Sequence, residues 1–409
     1  MSARTPTTLP RRAALAGLAA LSLAAIGLAT GLTATPAKAQ DGPGVTATEI
    51  KLGAWMPLTG PVAIIGVPQR AGSDAYFNLL NSQGGIKGRK ISYLVEDNAY
   101  NPQRTVAAAR KLISSDNVLA IVSPNGTAQS SAAMPYVLDE EKVPLLNPYA
   151  GAMDWYYPPR ANMYGVQIPF ERHAFALGRM ADQDGAGKVL VMYSALPAFE
   201  NVAINVEPGV KAGAAGKSIP VELLPVKFGT QDFAPIALDI IKRKPTSIIY
   251  FAVLSEIANL IKELKKQGFS AQNYSYGPTA QMTLIDLGGD AVDGIKVTSI
   301  TVPPDADTPA VREYREALAK VAPNEKPDFA SLTAYAQVKI VAEAIRRVNG
   351  PLNRQTLVAA METLKDYETG IYPPVTYSAT EHMGSNKFYP VQLKAGKWVS
   401  LGPAIPVGQ

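Results

Sequence analysis

Short apolar runs rich in β-branched residues alternate with amphipathic helical stretches along most of this chain. The first series begins with a strand over Glu49 to Met56 and a helix over Val67 to Ser82, and a second series begins near Tyr164. Strands that alternate with helices predict parallel sheets built from βαβ units. Two such series of similar length predict an α/β fold with two doubly wound parallel-sheet lobes and a cleft between them.

The first 39 residues have the pattern of an export signal. Three arginines precede an apolar stretch from Ala13 to Leu32, and Ala37-Lys38-Ala39 places small residues at the two positions that a signal peptidase reads. We expect cleavage that leaves Gln40 as the new N-terminus. A permanent membrane anchor is the alternative, since about 20 apolar residues can span a bilayer. The pair Arg11-Arg12 leaves the twin-arginine export route open.

Charge and cysteine content exclude several classes of protein. The full chain has 39 basic and 34 acidic residues, but four of the basic residues lie in the export signal, so the remaining chain is nearly neutral. That balance gives no support for nucleic-acid binding. The chain has no cysteine, which excludes disulfides, thiolate metal sites, cysteine nucleophiles and a lipid anchor at the cleavage point.

Motifs for catalysis or metal binding are absent from the sequence. The chain has two histidines, His173 and His382, and neither falls in a loop at the end of a predicted strand. We interpret His173, early in a predicted helix, as a surface or half-buried side chain. No nucleophile elbow, metal-spaced cluster or phosphate loop occurs. We therefore expect a protein that is not an enzyme and that uses no cofactor or metal.

The loop after the third predicted strand has the groups that an anion site requires. In doubly wound sheets, ligands bind beyond the carboxyl ends of the strands. Asn125, Gly126 and Thr127 offer an amide, a hydroxyl and backbone N–H groups ahead of a helix at Ala128, whose N-terminus can receive a carboxylate. The alternative is an Asn-Gly turn in which Thr127 caps the helix. The sequence leaves both readings open.

Short motifs in a fixed order connect the chain with a known family. They are KLGAWMPLTGPVA from Lys51 with Gly66, NSQGGIKG from Asn81, EDN from Glu96 with Asn101-Pro102, and GTQDF from Gly229. Over nearly the whole chain after the signal, this pattern resembles the leucine/isoleucine/valine-binding protein family, the type I periplasmic binding proteins.

The resemblance implies two lobes joined by a hinge of three crossovers, near Asn162 to Gln167, Asp290 to Val297 and Ile371 to Thr376. Residues 45–163 with 295–372 would form lobe 1, and residues 164–294 with 373–409 would form lobe 2. It also implies that the hinge closes over the ligand, and that the permease of an ABC importer recognises the closed form.

Positions carried over from the family describe the expected site. The ligand carboxylate would lie at Asn125 to Thr127. A family threonine that holds the ligand ammonium falls at Gly151, and a family glutamate for the same ammonium falls at Thr279 in Gly277-Pro278-Thr279. Val253 and Ile65 fall where the family has aromatic residues, and Tyr100 lies near the position of a family disulfide. The expected ligand-binding residues are Ile65, Tyr100, Asn125, Gly126, Thr127, Tyr149, Ala150, Gly151, Phe199, Val253 and Thr279.

These differences predict the chemistry of the ligand. Burying an ammonium without a charged partner costs several kcal/mol, so a site without both the hydroxyl and the carboxylate binds amino acids poorly. We expect a small ligand with a carboxylate or amide group and no α-ammonium, an aromatic or branched acid being favoured. A true branched-chain amino acid binder is the alternative. A ligand-sensing domain of the same fold is a weaker one, since it requires a membrane span that we do not expect.

The expected function is that of a solute-binding protein of an ABC importer of the branched-chain amino acid type. Its expected partners are a small-molecule ligand and the permease subunits, with no nucleic acid and no membrane contact except through the transporter. A binding protein without an anchor diffuses away unless an outer membrane retains it, so we expect a periplasmic location.

Overall fold

The computed structural model describes residues 40–213 and 218–408. The predicted export signal lies outside the described residues, as does its arginine pair. Among the helices of the described ranges, none is both long and apolar enough to cross a bilayer.

Five parallel strands form the sheet of the first lobe. Their spatial order is 2-1-3-4-5 in chain numbering, one of the two common doubly wound orders. In such a sheet the chain changes direction between strands 1 and 3, and ligands bind beside that switch point. The elements of this stretch are β1 (Glu49–Met56), α1 (Ala63–Ser82), β2 (Lys90–Asp97), α2 (Pro102–Arg110), β3 (Ala120–Val122), α3 (Thr127–Met134), β4 (Leu145–Leu146) and β5 (Met163–Tyr164).

The second lobe has a larger mixed sheet. Its first elements are α4 (Phe170–Gln183), β6 (Val189–Ser194), α5 (Pro197–Ala203), α6 (Val206–Gly213), β7 (Val221–Val226), α7 (Ala234–Arg243), β8 (Ser247–Phe251), α8 (Leu254–Lys266), β9 (Gln272–Tyr276), α9 (Met282–Gly288) and β10 (Lys296–Ser299). Three helices follow, α10 (Pro309–Val321), α11 (Phe329–Arg347) and α12 (Arg354–Met361). The last elements are β11 (Lys387–Lys394), β12 (Lys397–Ser400) and β13 (Ile405–Pro406).

The order of this sheet is β12-β11-β10-β9-β8-β6-β7, and β13 pairs with β11. Strands β6 to β10 are parallel, whereas β11 runs antiparallel to β10. The topology confirms the predicted α/β fold, and it places a second switch point between β6 and β8.

The sequence-based lobe boundaries differ from the sheets at two places. β10 pairs with β9 and β11, so the segment from residue 295 to Ser299 belongs to the second sheet, and the crossover predicted at Asp290 to Val297 comes after Ser299. The backbone groups of β10 are used by neighbours on both sides, which a free crossover would not allow. Tyr164, predicted as the start of lobe 2, is the last residue of β5 in the first sheet.

Helices α10 and α11 return to the first lobe and pack against α1. α11 is almost entirely buried, and Gln337 at its middle is completely inaccessible to solvent. Because α11 passes beneath the carboxyl ends of β3 and β4, its polar side chains can bond to the loops that follow those strands.

Candidate ligand-binding cleft

The N-terminus of α3 is open and lies beside the switch point of the first sheet. The helix begins at Thr127, and its cap position is Gly126, with φ of 101° and no side-chain hydrogen bond to the first turn. The reading in which Thr127 caps the helix is therefore wrong. Among the described residues, no acceptor bonds the amides of the first turn. These free N–H groups and the helix dipole favour an anion.

Asn125 shapes this loop with its side chain. The residue is 3% exposed, its side-chain amide donates to Gln69 Oε1 at 2.6 Å, and its backbone N–H donates to the Trp55 carbonyl at 2.9 Å. The predicted role of this amide as a free recognition group is therefore replaced by a structural one. Backbone groups of Gly126 and Thr127 remain for the ligand.

The loop after β4 lies against the β3 loop. The Tyr149 N–H donates to the Pro124 carbonyl at 2.8 Å, and Ala150 is buried behind it. A Cβ atom on Gly151 would lie 2.9 Å from the Ile168 carbonyl oxygen. Gly151, which falls where family members have a threonine, therefore has no room for a side chain unless the backbone at Ile168 shifts.

The turn after β9 offers no charge. Thr279 is 2% exposed, and its hydroxyl donates to the Tyr276 carbonyl at 2.7 Å. The carboxylate of Asp328, at the start of α11, accepts from the Met282 N–H at 2.9 Å and from the Ala330 N–H at 2.7 Å. Burial raises the pKa of Asp328, although both backbone donors oppose that shift. Each of its oxygens already has a donor.

The apolar residues that were predicted for the site lie beyond the carboxyl ends of strands in both sheets. Val253 is 37% exposed and follows β8, while half-buried Phe199 follows β6, so both lie at the second switch point. Ile65 is half-buried in the first turn of α1 rather than in a loop. Tyr100, after β2, exposes 43% of its surface, and its backbone carbonyl accepts from the Gln129 side chain at 2.7 Å.

Phe170 and Tyr276 belong to the same region, and sequence analysis missed them as site residues. Their rings meet edge to face at 5.5 Å. Burial raises the pKa of the Tyr276 phenol, and the neighbouring Tyr100 phenol from the first lobe adds to the shift. The two lobes therefore approach each other here through aromatic side chains. The sequence offered a signal for Tyr276, because this residue immediately precedes the Gly277-Pro278-Thr279 turn that was predicted as part of the site.

His173 is buried in the second lobe, so the prediction that its side chain lies at the surface or is half-buried is wrong. It is 0% exposed, and its Nδ1 is 2.7 Å from Thr298 Oγ1. No described residue bonds its Nε2. Burial lowers the pKa of His173 to about 3, with the Thr298 contact opposing the shift. The α4 helix repeats apolar residues every three to four positions, and His173 lies on that buried face.

Together these groups form a candidate cleft, and its anion-binding end would be the free first-turn amides of α3. Lobe 1 supplies these amides and Tyr149 of the neighbouring loop. Lobe 2 supplies Phe170, Tyr276 and the apolar residues of its switch point. Within the described ranges, no cluster of three or more His, Cys, Asp or Glu residues could hold a metal ion. This arrangement suits binding of an apolar acid.

Comparison with known proteins agrees with this fold. The model of a family described as periplasmic binding protein matches residues 49–397. The Leu/Ile/Val-binding protein BraC3 of Rhizobium johnstonii is 25% identical over 357 residues, which cover 86% of this chain and 94% of BraC3.

Solved structures share the fold at lower identity. A branched-chain amino acid ABC transporter protein from Thermus thermophilus, with bound valine, has a TM-score of 0.79 at 18% identity, covering 88% of this chain and 97% of that one. A solute-binding protein of an ABC transporter from R. palustris, in complex with benzoate, has a TM-score of 0.73 at 21% identity, with 88% and 98% covered. The chain belongs to the leucine/isoleucine/valine-binding protein family of type I periplasmic binding proteins.

Proposed function

We propose that this protein is the solute-binding component of an ABC importer of the branched-chain amino acid type, and that its ligand is a small acid without an α-ammonium group. One observation carries the choice of ligand. The turn after β9, where family members hold the ammonium, has Thr279 with its hydroxyl bonded to Tyr276, whereas the anion-binding end of the cleft is open.

The carboxylate would bind at the N-terminus of α3. Hydrogen bonds to a charged group contribute about 1.5–3 kcal/mol, and the helix dipole adds up to about 2 kcal/mol in a partly buried site. Thr127 and the following first-turn residues present these donors without competition from a capping side chain. An amide group would gain the same hydrogen bonds with less benefit from the dipole.

At the two positions where family members hold the α-ammonium, this chain offers no charged partner. Gly151 is packed against the first crossover, and Thr279 is engaged with its own turn. Asp328 lies close enough to Tyr149 to contribute, after burial, to the raised pKa of that phenol. This carboxylate is the observation that favours the second candidate, a branched-chain amino acid binder. Both of its oxygens accept backbone N–H groups, however, so an ammonium would have to compete with them.

The rest of the ligand would meet apolar surface. Phe170 and Tyr276 offer aromatic faces, and Tyr100 approaches from the opposite lobe. Aromatic pairs contribute about 0.5–1.5 kcal/mol beyond the burial of their area. An aromatic acid fits these groups best, and a branched acid is the next choice. The benzoate complex of a protein with this fold supports that order.

The proposal extends to location and partners. We infer that residues 1–39 direct export and are removed, that the protein works in the periplasm, and that the permease subunits receive the closed form. Family membership supports each of these points. The two lobes would follow the sheets described above, with the second crossover placed after Ser299.

Matched pairs of compounds test the ligand class. The unit Gln40–Gln409 would be unfolded, washed and refolded, and its melting measured with 3-phenylpropanoate against phenylalanine and with 4-methylpentanoate against leucine, with benzoate and benzamide added. Within each pair only the amino group differs. We expect an acid at a thousandfold excess over its Kd to raise the free energy of unfolding by about 4 kcal/mol, and its amino acid counterpart to leave it unchanged.

The outcomes separate the candidates. Stabilisation by leucine but not by 4-methylpentanoate would show that the second candidate is correct and that Asp328 or another group binds the ammonium. Equal stabilisation by both members of a pair would contradict the role assigned to the uncharged turn.

A further inference from the structure

A buried polar network lies beneath the two loops that carry the anion-binding end of the cleft. Its central residue is Gln337 of α11, which is completely buried, as are Ser123 after β3 and Asn147 after β4. Buried polar side chains are costly unless they are bonded. Such a network therefore fixes the geometry of the groups that it joins.

The two loop residues need that support. Ser123 has φ of 53° and Asn147 has φ of 49°, so both occupy the left-handed region that non-glycine residues rarely adopt. Each begins its loop directly at a strand end, and each turns the chain toward the cleft. Conformations of this kind persist where the surroundings hold them, and they are common at functional sites.

Gln337 bonds to both loops at once. Its Oε1 accepts from the Ser123 hydroxyl at 2.6 Å, and its Nε2 donates to the Pro148 carbonyl at 3.4 Å. Its backbone carbonyl also accepts from the Asn147 side chain at 3.0 Å. One residue of α11 therefore joins the β3 loop to the β4 loop.

Neighbouring bonds divide the network into distinguishable parts. Gln69 of α1 donates to the Ser123 carbonyl at 2.8 Å and accepts from Asn125, so it supports the β3 loop alone. Tyr377 donates to Asn147 Oδ1 at 2.9 Å. Tyr377 belongs to the segment that leads from α12 to β11, so the network connects the β4 loop with the third crossover.

We propose that Gln337 is a positioning residue of the ligand site, which holds both loops of lobe 1 in the conformation that the ligand meets. The inference rests on the proposed function insofar as these loops bind the ligand. Without the Gln337 side-chain amide, the Ser123 hydroxyl and the Pro148 carbonyl lose buried partners, so both loops lose a bond to α11, while the bond from Asn147 to the Gln337 backbone remains. The loops would then open more often, and the ligand would have to order them again on binding.

Amide hydrogen exchange of the unliganded unit Gln40–Gln409 tests this positioning role. Gln337→Met keeps the length of the side chain and removes its bonds. We expect exchange about 10- to 100-fold faster in residues 123–127 and 147–151. Gln69→Met should accelerate only residues 123–127. Ser331→Ala is the control, because Ser331 is on the same helix as Gln337 and its buried hydroxyl bonds to Tyr314 of α10, so its loss should leave both loops unchanged.

Binding of benzoate, measured by calorimetry, adds a functional readout. We expect the Kd to rise about 10- to 100-fold in Gln337→Met and to stay within about twofold in Ser331→Ala. If benzoate fails to bind the unaltered protein, the choice of ligand is wrong, while the exchange pattern still decides the role of Gln337. Equal acceleration of both loops in Ser331→Ala and Gln337→Met would overturn the inference. Should Gln337→Met not fold, the shorter Gln337→Asn, which withdraws the same amide, should give the same pattern.

Discussion

Gly126→Ala is expected to weaken acid binding by about 100-fold while the protein still folds. Gly126 occupies the cap position of α3 with φ of 101° and ψ of 130°, where a side chain is strongly disfavoured. A Cβ atom there would lie 2.4 Å from Gln129 Oε1. The Gln129 side chain can shift to make room, but alanine is strained at this φ, so we expect the loop to relax and its first-turn N–H groups to converge less well on one carboxylate.

The size of this effect follows from the groups that are lost. Charge-assisted hydrogen bonds and the helix dipole together supply about 3 kcal/mol to a bound carboxylate, and each 1.4 kcal/mol changes Kd about tenfold. Backbone strain should also lower the free energy of unfolding by about 1–3 kcal/mol. Calorimetry with the acid found in the matched-pair screen measures the first effect, and urea denaturation measures the second.

Gly88→Ala provides a control for backbone strain. Gly88 has φ of 80°, no atom lies within 4 Å of its added Cβ, and it precedes β2, at the amino rather than the carboxyl ends of the parallel strands. We expect a similar loss of stability and no change in Kd. If both variants bind the acid as tightly as the unaltered protein does, the carboxylate does not lie at the N-terminus of α3.

Much of the fold could be predicted because strand and helix periods alternate over long distances. The strand Glu49 to Met56 was predicted at the bounds that the structure shows. The second crossover was misplaced because β10 is only four residues long, which leaves little local pattern to recognise. β10 pairs with β9, about 20 residues earlier, and with β11, almost 90 residues later, and a local pattern does not reveal the second pairing.

The candidate site was predicted as a set of loops rather than as a set of contacts. The open end of α3 follows from the position of Asn125-Gly126-Thr127 after a strand, and the structure shows it. The role of Asn125 was misjudged because its partner, Gln69, is on α1 and 56 residues away. His173 was misjudged because its burial depends on packing of α4 against β9 and β10, far along the chain.

His173→Asn is expected to remove most of the histidine-dependent loss of stability in acid. Burial lowers the pKa of His173 in the folded protein to about 3, from 6.5 in the unfolded chain. Above pH 6.5 the imidazole is neutral in both states, so the folded state suffers no penalty. Between pH 6.5 and 3 the unfolded chain binds a proton that the folded protein excludes, and stability falls as the pH falls.

The expected loss is large. One pKa unit corresponds to about 1.4 kcal/mol, so this residue should cost the folded state about 2 kcal/mol at pH 5 and about 4 kcal/mol at pH 3, where the folded histidine is itself half protonated. His173→Asn, whose amide can still bond to Thr298, should be less stable at pH 7 because of the lost ring volume. It should lose correspondingly less stability on acidification, so the two curves approach each other.

Urea denaturation at intervals from pH 7.5 to 4 measures both curves, and His382→Asn is the matched control because His382 is the other histidine of the chain. The burial of His173 does not govern the acid sensitivity if the free energy of unfolding falls less steeply with decreasing pH in His382→Asn, but as steeply in His173→Asn as in the unaltered protein. The expected result has a consequence for the cleft. A neutral imidazole beside Gly277 adds no positive charge to the turn after β9.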